Sequence, residues 1–549
     1  MPAYALALSL AVTAPLLAPG YLLLRDAVST PRAYLTDAAL GLTQAAPRAL
    51  PQDFAVALAS HVVDGGVVVK LLLIAGLWFA GWGAARLAAA VVPAAGLPGQ
   101  LVAATLAVWN PYVAERLLQG HWSLLVGYGC LPWVATAVVR LREQPGGTWW
   151  PVLFWTALAG LTPTGLMLAA AVALVGCAVP GAGRSRPWCA AVSLGAAVLG
   201  ALPWLVAPVL AGSLSLTQAA GVPQFAARAE PGLGTLLTLA GLGGIWNGQA
   251  VPSSRTTLFA VVATLVLLAV VAVGVPTALR RPAARPFLVL AAVAVVAPAL
   301  MATGPGLVTV EAVARAVPGL GVLRDAQKWV ALALPGYAVA GAAAVVTLQR
   351  RVPRPVTAAV CCLALVAVLP DLAWGVGGKM TPVHYPAGWT AAAALVNADP
   401  RPVAVLPPDS MRHYPWAGDA PVLDPLPRWV SADVLTTGDL VIGGQTVPGE
   451  GDRARDVERL VRSGADADEL ARAGVGWVVV EGGGEPRLAL PVAFADDDVV
   501  LYRIGGDHPA TSHRGVMIAA HLVWLAALLA GAVGAIAAAI SRRRTGAVY

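Results

Sequence analysis

Long apolar stretches dominate this sequence and limit what it can fold into. An α-helix needs about 20 apolar residues to cross the hydrocarbon layer of a bilayer, and twelve stretches are candidates, at residues 4–24, 66–85, 99–114, 122–139, 149–161, 166–180, 188–210, 257–278, 287–303, 329–348, 355–371 and 515–540. Of the 549 residues, 58% are apolar and 12% are charged, whereas soluble proteins have about 25% charged residues. The sequence therefore excludes an ordinary soluble enzyme and predicts a mainly α, polytopic transmembrane helical bundle.

The arginines in short connections predict the orientation of this bundle. Cytoplasmic loops carry an excess of Lys and Arg, and alternate connections contain Arg86, Arg140/Arg142, Arg184/Arg186, Arg280/Arg281/Arg285, Arg350/Arg351/Arg354 and Arg542/Arg543/Arg544. Both termini are therefore predicted to be cytoplasmic in the plasma membrane. The two short stretches at 149–161 and 166–180 are either two crossings or one re-entrant hairpin, and both alternatives keep the number of crossings even.

Residues 378–512 differ in character from the rest. They hold 11 basic and 19 acidic residues, a net charge of −8 in a chain whose total is +7. Short β-type runs occur at 403–406, 477–480 and 499–502, and helical spacing at 456–473 is broken at Ser463-Gly464. We predict a small external α/β domain at 378–512, after a transmembrane domain at 1–377 and before a last helix and basic tail at 513–549. The other long external segments are predicted at 25–65, 211–256 and 304–328.

The first candidate site residue is Asp26, which follows the first apolar stretch. A carboxylate at the outer edge of the membrane can meet both a lipid-borne and a water-soluble substrate. The alternative is a solvated boundary charge that pairs with Arg25 or Arg32. Asp37, in the same external segment, is the second choice.

The second candidate is the polar and aromatic run from Trp109 to Trp122, which contains Glu115, Arg116 and His121. These three side chains are predicted to face the same external cavity as Asp26. A purely structural interpretation is equally open, in which Asn-Pro breaks the helix and the charges cap it or form pairs.

The third candidate is the run Leu-Arg-Asp-Ala-Gln-Lys-Trp that ends at Trp329. Arg324 and Lys328 are four residues apart, so on a helix they share a face and form a plausible phosphate clamp. Alternatively, Asp325 stabilises a helix N-terminus, and the two cations extend to lipid headgroups.

These three runs together resemble actinobacterial membrane proteins of the glycosyltransferase C type, and the similarity extends through most of the membrane part. The resemblance implies transfer of a sugar from a polyprenyl-phosphate carrier to an acceptor outside the membrane, with Asp26 as the acid of the first external loop. Many members have two adjacent acids there, whereas Asp26 is followed by Ala27.

The leading hypothesis is therefore an external glycosyltransferase in which Asp26 is the general base, and Arg324 and Lys328 stabilise the leaving phosphate. The expected partners are membrane lipid, a polyprenyl-phosphate-linked sugar donor and a glycan, glycolipid or protein acceptor. A divalent cation is left open as a cofactor, although no metal-binding motif is found in the sequence. No nucleic acid is expected. The alternative is a non-catalytic protein that binds or translocates a lipid-linked glycan or assists envelope assembly.

Overall fold

A computed structural model describes residues 1–43, 49–211, 221–317, 319–482, 488–508 and 513–546. The described chain is mainly helical, with one α/β region near its C-terminal end. Residues 212–220 of the predicted external segment 211–256 lie outside the described residues, as do the side chains of Arg542, Arg543 and Arg544.

The part that precedes the α/β region is built from helices. They are α1 (Pro2–Thr13), α2 (Asp37–Leu40), α3 (Gln52–Ala59), α4 (Gly65–Val91), α5 (Gly96–Val108), α6 (Pro111–Gln119), α7 (Trp122–Glu143), α8 (Trp150–Ala159), α9 (Pro163–Gly176), α10 (Arg186–Ala211), α11 (Gly234–Ala240), α12 (Phe259–Leu279), α13 (Arg285–Met301), α14 (Gly304–Ala316), α15 (Leu334–Leu348), α16 (Arg354–Ala367) and α17 (Ala373–Gly378). Within α17, residues 374–377 have left-handed dihedral angles.

Six helical segments of the described chain are long and apolar enough to cross a membrane, and they become eight if each of two bent helix pairs is one span. The pair α13–α14 bends by 93°, and the pair formed by Arg354–Ala367 and Pro370–Gly378 bends by 73°. Helices α8 and α9, which cover the predicted short pair, have only 10 and 14 residues. A mainly helical, multi-pass chain is thus confirmed by length and composition, whereas twelve crossings and the cytoplasmic termini stay predictions.

The helices pack closely where small residues meet a neighbouring backbone. At Gly274 of α12, a Cβ atom would overlap the carbonyl oxygen of Ala340 in α15. Helices in a bilayer associate through such close approaches because lipid supplies no hydrophobic drive between them. The core therefore depends on shape at these positions rather than on large side chains.

The α/β region lies between α17 and the last helix. Its elements are α18 (Ala387–Ala398), β3 (Val403–Leu406), β4 (Met411–Arg412), β5 (Val422–Leu423), α19 (Leu426–Trp429), β6 (Val434–Leu435), β7 (Leu440–Ile442), β8 (Gln445–Val447), α20 (Asp452–Arg462), α21 (Ala467–Arg472), β9 (Trp477–Glu481), β10 (Val492–Ala495) and β11 (Val499–Arg503), followed by α22 (Arg514–Gly546). A five-stranded sheet has the order β10-β11-β9-β3-β6, in which β6, β3 and β9 are parallel and β9, β11 and β10 are antiparallel.

The sequence pattern predicted the centre of this sheet. The three apolar runs at 403–406, 477–480 and 499–502 lie in β3, β9 and β11, which are adjacent. The predicted break in the helix at Ser463-Gly464 is also confirmed, since α20 ends at Arg462 and α21 begins at Ala467. The limits 378–512 and the external location of this region stay predictions.

The α/β region packs against the segment that follows α1. Strands β1 (Leu23–Leu24) and β2 (Ala27–Val28) form a hairpin, whose Arg25 exchanges two backbone hydrogen bonds with the α/β region, to the Pro421 oxygen at 2.9 Å and from the Leu423 nitrogen at 2.8 Å. Arg428 of α19 pairs with Asp53 of α3 at 3.2 Å. The hairpin is therefore held between the helical part and the α/β region.

Candidate functional site

Asp26 lies at the tip of the β1–β2 hairpin. Leu24 pairs with Ala27, so Arg25 and Asp26 form a two-residue turn. Arg25 has a φ of +49°, a conformation that favours glycine in such turns and costs an L-residue about 1–2 kcal/mol. The Arg25 guanidinium offsets this cost because it donates to the carbonyl oxygens of Leu118 at 2.6 Å and Gln249 at 3.0 Å. Arg25 therefore holds the turn and does not form the ion pair with Asp26 that the alternative interpretation offered for Arg25 or Arg32.

Helix α6 brings its C-terminal end to the hairpin tip. Asn110 caps the helix by accepting from the Val113 nitrogen at 3.1 Å, and Pro111 occupies the first turn, so the predicted break at Asn-Pro is confirmed. The helix ends at Gly120, which has a φ of +84°. A Cβ atom at Gly120 would overlap the backbone of Leu24 and Ala27, so only glycine allows this approach.

The carboxylate of Asp26 is held by two side chains that flank Gly120. His121 Nε2 lies 2.9 Å from Asp26 Oδ2, and the Gln119 amide donates to the same oxygen at 3.1 Å. The other ring nitrogen of His121, Nδ1, is 3.0 Å from Arg116 Nη1. Because a guanidinium can only donate, Nδ1 accepts and Nε2 carries the proton, which makes His121 a neutral donor to Asp26.

Arg116 connects His121 to the segment before α15. Its guanidinium donates to both oxygens of Asp325, at 3.1 and 3.3 Å, and to Gln327 Oε1. Lys328 Nζ lies 3.3 Å from Asp325 Oδ2. Arg116 is completely buried and Asp325 is nearly so. The Asp26 network, as we name it, therefore runs from Asp26 through His121, Arg116 and Asp325 to Lys328.

Electrostatics keeps both acids of this network ionised. Burial raises the pKa of Asp325, but the charges of Arg116 and Lys328 outweigh it and hold that pKa well below its usual range. Crowding by protein also raises the pKa of Asp26, but the hydrogen bonds from His121 and Gln119 outweigh it, so the net pKa is lowered. The Asp26 side chain is still 39% exposed. A carboxylate that stays charged and reaches solvent can accept a proton from a bound hydroxyl.

Burial lowers the pKa of His121 as well, although its hydrogen bond to Asp26 opposes this. A lowered His121 pKa agrees with the tautomer set by Arg116, since a second ring proton would face the guanidinium. His121 is therefore neutral at pH 7.

Glu115 belongs to a buried part of the same hydrogen-bonded system rather than to the exposed end. It is completely buried and accepts from the backbone nitrogens of Gly244 at 3.0 Å and Ile245 at 3.1 Å. Gln327 Nε2 donates to it at 3.1 Å and thereby links it to Arg116. Burial, followed by the charge of Glu230, raises the pKa of Glu115. Glu115 therefore anchors the loop at 243–245 beneath the network.

The remaining predicted residues lie elsewhere. Asp37 is paired with Arg514 of α22. The Arg324 guanidinium lies over the Phe225 ring, 4.3 Å from its centroid. Arg324 and Lys328 do not share a helical face, because 3₁₀ turns at Leu320–Arg324 and Ala326–Ala333 are separated by Asp325, whose φ of −87° and ψ of 72° are not helical. The structure thus brings together Asp26, Glu115, Arg116, His121 and Lys328, but it does not place Asp37 or Arg324 with them.

Sequence reasoning did not select Gln119, Asp325 or Gln327 for the site. Gln119 lies in the run from Trp109 to Trp122, and Gln327 lies in the run that ends at Trp329. Asp325 was interpreted as a charge at a helix terminus. The side chain of Asp325 caps no helix and is bound by Arg116 instead. Within the described residues, no three His, Cys, Asp or Glu side chains are grouped as metal ligands.

Comparisons with known proteins gave one structural likeness to report. No family model matches the sequence, and no curated protein matches it. The structure is similar to a cryo-EM structure of the arabinofuranosyltransferase AftD from Mycobacteria, with a TM-score of 0.48 and 18% sequence identity. The match covers 92% of this chain and 41% of that one, so the chain spans less than half the length of the protein it matches.

Proposed function

We propose that this chain is a membrane glycosyltransferase that moves a sugar from a polyprenyl-phosphate donor to a cell-envelope glycan or protein on the external face. The observation that carries the proposal is the Asp26 carboxylate, ionised and partly exposed at a hairpin tip between the helical part and the α/β region. Its two side-chain partners donate hydrogen bonds without neutralising it, since His121 is neutral. Such a group suits general-base catalysis.

In the proposed reaction, Asp26 accepts the proton of the acceptor hydroxyl. The acceptor oxygen forms a bond to the anomeric carbon of the sugar, and the bond from that carbon to the phosphate oxygen breaks, so the lipid phosphate leaves with the electron pair. The lowered pKa of Asp26 means that the proton moves only as the hydroxyl oxygen forms its bond and becomes acidic. No water is consumed, and the proton then passes from Asp26 to solvent.

Lys328 is the proposed contact for the leaving phosphate. Its ammonium group can donate three hydrogen bonds, it contacts Asp325, which Arg116 also holds, and its side chain is 24% exposed. A charge-assisted hydrogen bond to a phosphate oxygen stabilises the negative charge that develops there. Arg324 is not assigned to this phosphate, because its guanidinium lies over the Phe225 ring and it does not share a helical face with Lys328.

The test replaces Asp26 by Asn in the full chain and measures envelope glycans in a strain that lacks the native gene, with protein amount held equal. Asn keeps the size of Asp26 but cannot accept the proton, so transfer should fall about 10²–10⁴-fold. Glu311→Gln is the matched control, because Glu311 pairs with Arg315 on an exposed helix face.

A second outcome separates the enzyme from the alternative function. If the protein only binds or translocates a lipid-linked glycan, Asp26→Asn should complement fully and Lys328→Ala should not. Full complementation by a well-expressed Asp26→Asn variant would refute the catalytic assignment.

A further inference from the structure

A cavity of about 220 Å³ lies between the segment after the hairpin and the α/β region. One wall is formed by residues 28–43 and 49–56, and the facing wall by residues 409–438. At about 30 Å³ per water molecule, the cavity has room for roughly seven waters. It therefore has room for one small group of the size of a single sugar ring.

The cavity opens beside the Asp26 network without including it. Val28 lines the cavity two residues after Asp26, and Trp122 lines it directly after His121. The two residues that border the cavity thus continue the backbone from the two residues that form the 2.9 Å contact. A ligand in this cavity is placed next to the Asp26 end of the network.

Two polar side chains of the cavity are uncommitted. Neither the Tyr34 hydroxyl nor the Asp409 carboxylate has a hydrogen-bond partner among the residues that the structure describes. By contrast, Asp53 is fixed by Arg428 at 3.2 Å, and Asp424 accepts from the Leu426 nitrogen at 2.8 Å. The cavity therefore combines charged groups held in ion pairs with polar groups, Tyr34 and Asp409 among them, that have no hydrogen-bond partner within the described residues.

The charge of the lining selects the class of ligand. The charged residues that line the cavity are Asp53, Asp409, Asp424 and Arg428. Asp53 pairs with Arg428 and Asp424 pairs with Arg412, whereas Asp409 has no ion-pair partner within the described residues, so its charge disfavours phosphate and carboxylate groups. Carboxylates accept strongly from hydroxyl groups, and the apolar side chains of Leu423 and Val434 on the same wall can pack against carbon-bound hydrogens. An uncharged, hydroxyl-rich ring satisfies both surfaces.

We propose that this cavity binds one uncharged sugar residue of the acceptor glycan, with Tyr34 and Asp409 as its specific contacts. The assignment to the acceptor rests on the proposed function. The donor phosphate is attracted to Lys328, which does not line the cavity, so the proposed donor and acceptor contacts are made by different residues.

The experiment measures binding without the donor. The full chain in lipid nanodiscs is titrated with uncharged methyl furanosides and methyl pyranosides, and ligand contact is followed by saturation-transfer NMR. Tyr34→Phe should weaken binding about two- to tenfold, as expected for loss of a neutral hydrogen bond, and Asp409→Asn by about tenfold or more, because it removes a charged acceptor. The matched control is Asp419→Asn, since Asp419 is an equally exposed acid of the α/β region that does not line the cavity.

A third variant and a competitor complete the test. Ala38→Leu places a larger side chain in the cavity and should abolish binding while thermal unfolding stays cooperative. Inorganic phosphate should not displace the glycoside. The proposal is overturned if the wild-type chain binds no glycoside, if Tyr34→Phe and Asp409→Asn bind as the wild type does, or if phosphate competes.

The Asp26→Asn variant keeps the two proposals apart. It should still bind glycosides, because Asp26 does not line the cavity. Loss of transfer with retained binding supports both proposals. Retained transfer with retained binding refutes only the catalytic role of Asp26, and active transfer by a wild-type chain that binds no glycoside refutes only the cavity.

Discussion

Gly120 is the position where one added methyl group should separate catalysis from stability. Its backbone has a φ of +84°, and a Cβ atom there would overlap Ala27 N and Leu24 O of the hairpin that carries Asp26. Both atoms belong to the backbone, so no side-chain rotation relieves the overlap. In Gly120→Ala, the hairpin tip and the C-terminal end of α6 must therefore move apart.

The structure sets the size of both effects. An L-residue in the left-handed conformation costs about 1–2 kcal/mol. Because ordinary carbon contacts lie near 3.5–4.0 Å, relieving the overlap takes a shift on the order of 1 Å. A displacement of this size between reacting groups can lower a rate about 10²-fold, and here it separates Asp26 from His121 and Gln119, which flank Gly120 on either side.

Gly464 supplies the matched control. It has a φ of +80° and nothing within 4 Å of a Cβ atom. Gly464→Ala therefore carries the same conformational cost without the overlap. Thermal unfolding should fall for both variants, whereas sugar transfer by equal amounts of purified protein should fall only for Gly120→Ala.

The reasoning fails if Gly120→Ala transfers sugar at the wild-type rate. It also fails if Gly464→Ala loses activity to the same extent, since the loss would then follow from reduced stability and not from the position of Asp26.

Two further predictions concern buried charges. Arg116→Leu leaves Asp325 buried with one partner fewer and should lower the free energy of unfolding by about 3–5 kcal/mol. Arg315→Leu breaks an exposed pair and should lower it by less than about 1 kcal/mol. A denaturant titration compares the two variants, and equal losses would contradict the buried network. Burial raises the pKa of Glu481 to about 8 from 4.5, so its contribution to stability is complete below pH 4.5 and is lost as the pH rises through 8. The melting temperature should therefore decline as the pH rises from 5 to 8.5, and it should decline less steeply in Glu481→Gln than in the wild type. Equal slopes in the two proteins would refute Glu481 as the origin of the decline.

The sequence predicted secondary structure best where several local signals coincide. The break at Asn110-Pro111 was predicted because a capping amide and a fixed proline φ act within neighbouring residues, whereas the helix that follows and its end at Gly120 were not predicted. The apolar stretch 4–24 shows the limit of such signals. Helix α1 ends at Thr13, and Leu23 and Leu24 form a strand of the hairpin, because Pro15 and Gly20 interrupt the helix and the leucines find a strand partner. An apolar run predicts that its residues are buried, but it does not predict which part of the protein packs against them.

The sequence suggested which residues of the candidate site lie near one another, but not the contacts between them. Asp26, Arg116 and His121 were chosen from two runs that the chain separates by about 90 residues, and the structure joins them. The link to Asp325 spans 209 residues, and no local pattern encodes a pairing at that distance. A second carboxylate, Asp37, has the same local sequence signals as Asp26 but pairs with the last helix. The two acids differ in their tertiary contacts, which the local sequence does not show.

The order of charges in the Asp26 network decides where a proton taken up by Asp26 can go. A relay away from the substrate would pass through His121, whose Nδ1 accepts from Arg116. An arginine does not release a proton in proteins, and a doubly protonated His121 would direct an N–H at the guanidinium. The network therefore orients Asp26 and keeps it ionised, but it does not carry a proton away from Asp26. The proton can leave only through the exposed side of the carboxylate, which makes access of water to the hairpin tip a requirement for each turnover of the proposed reaction.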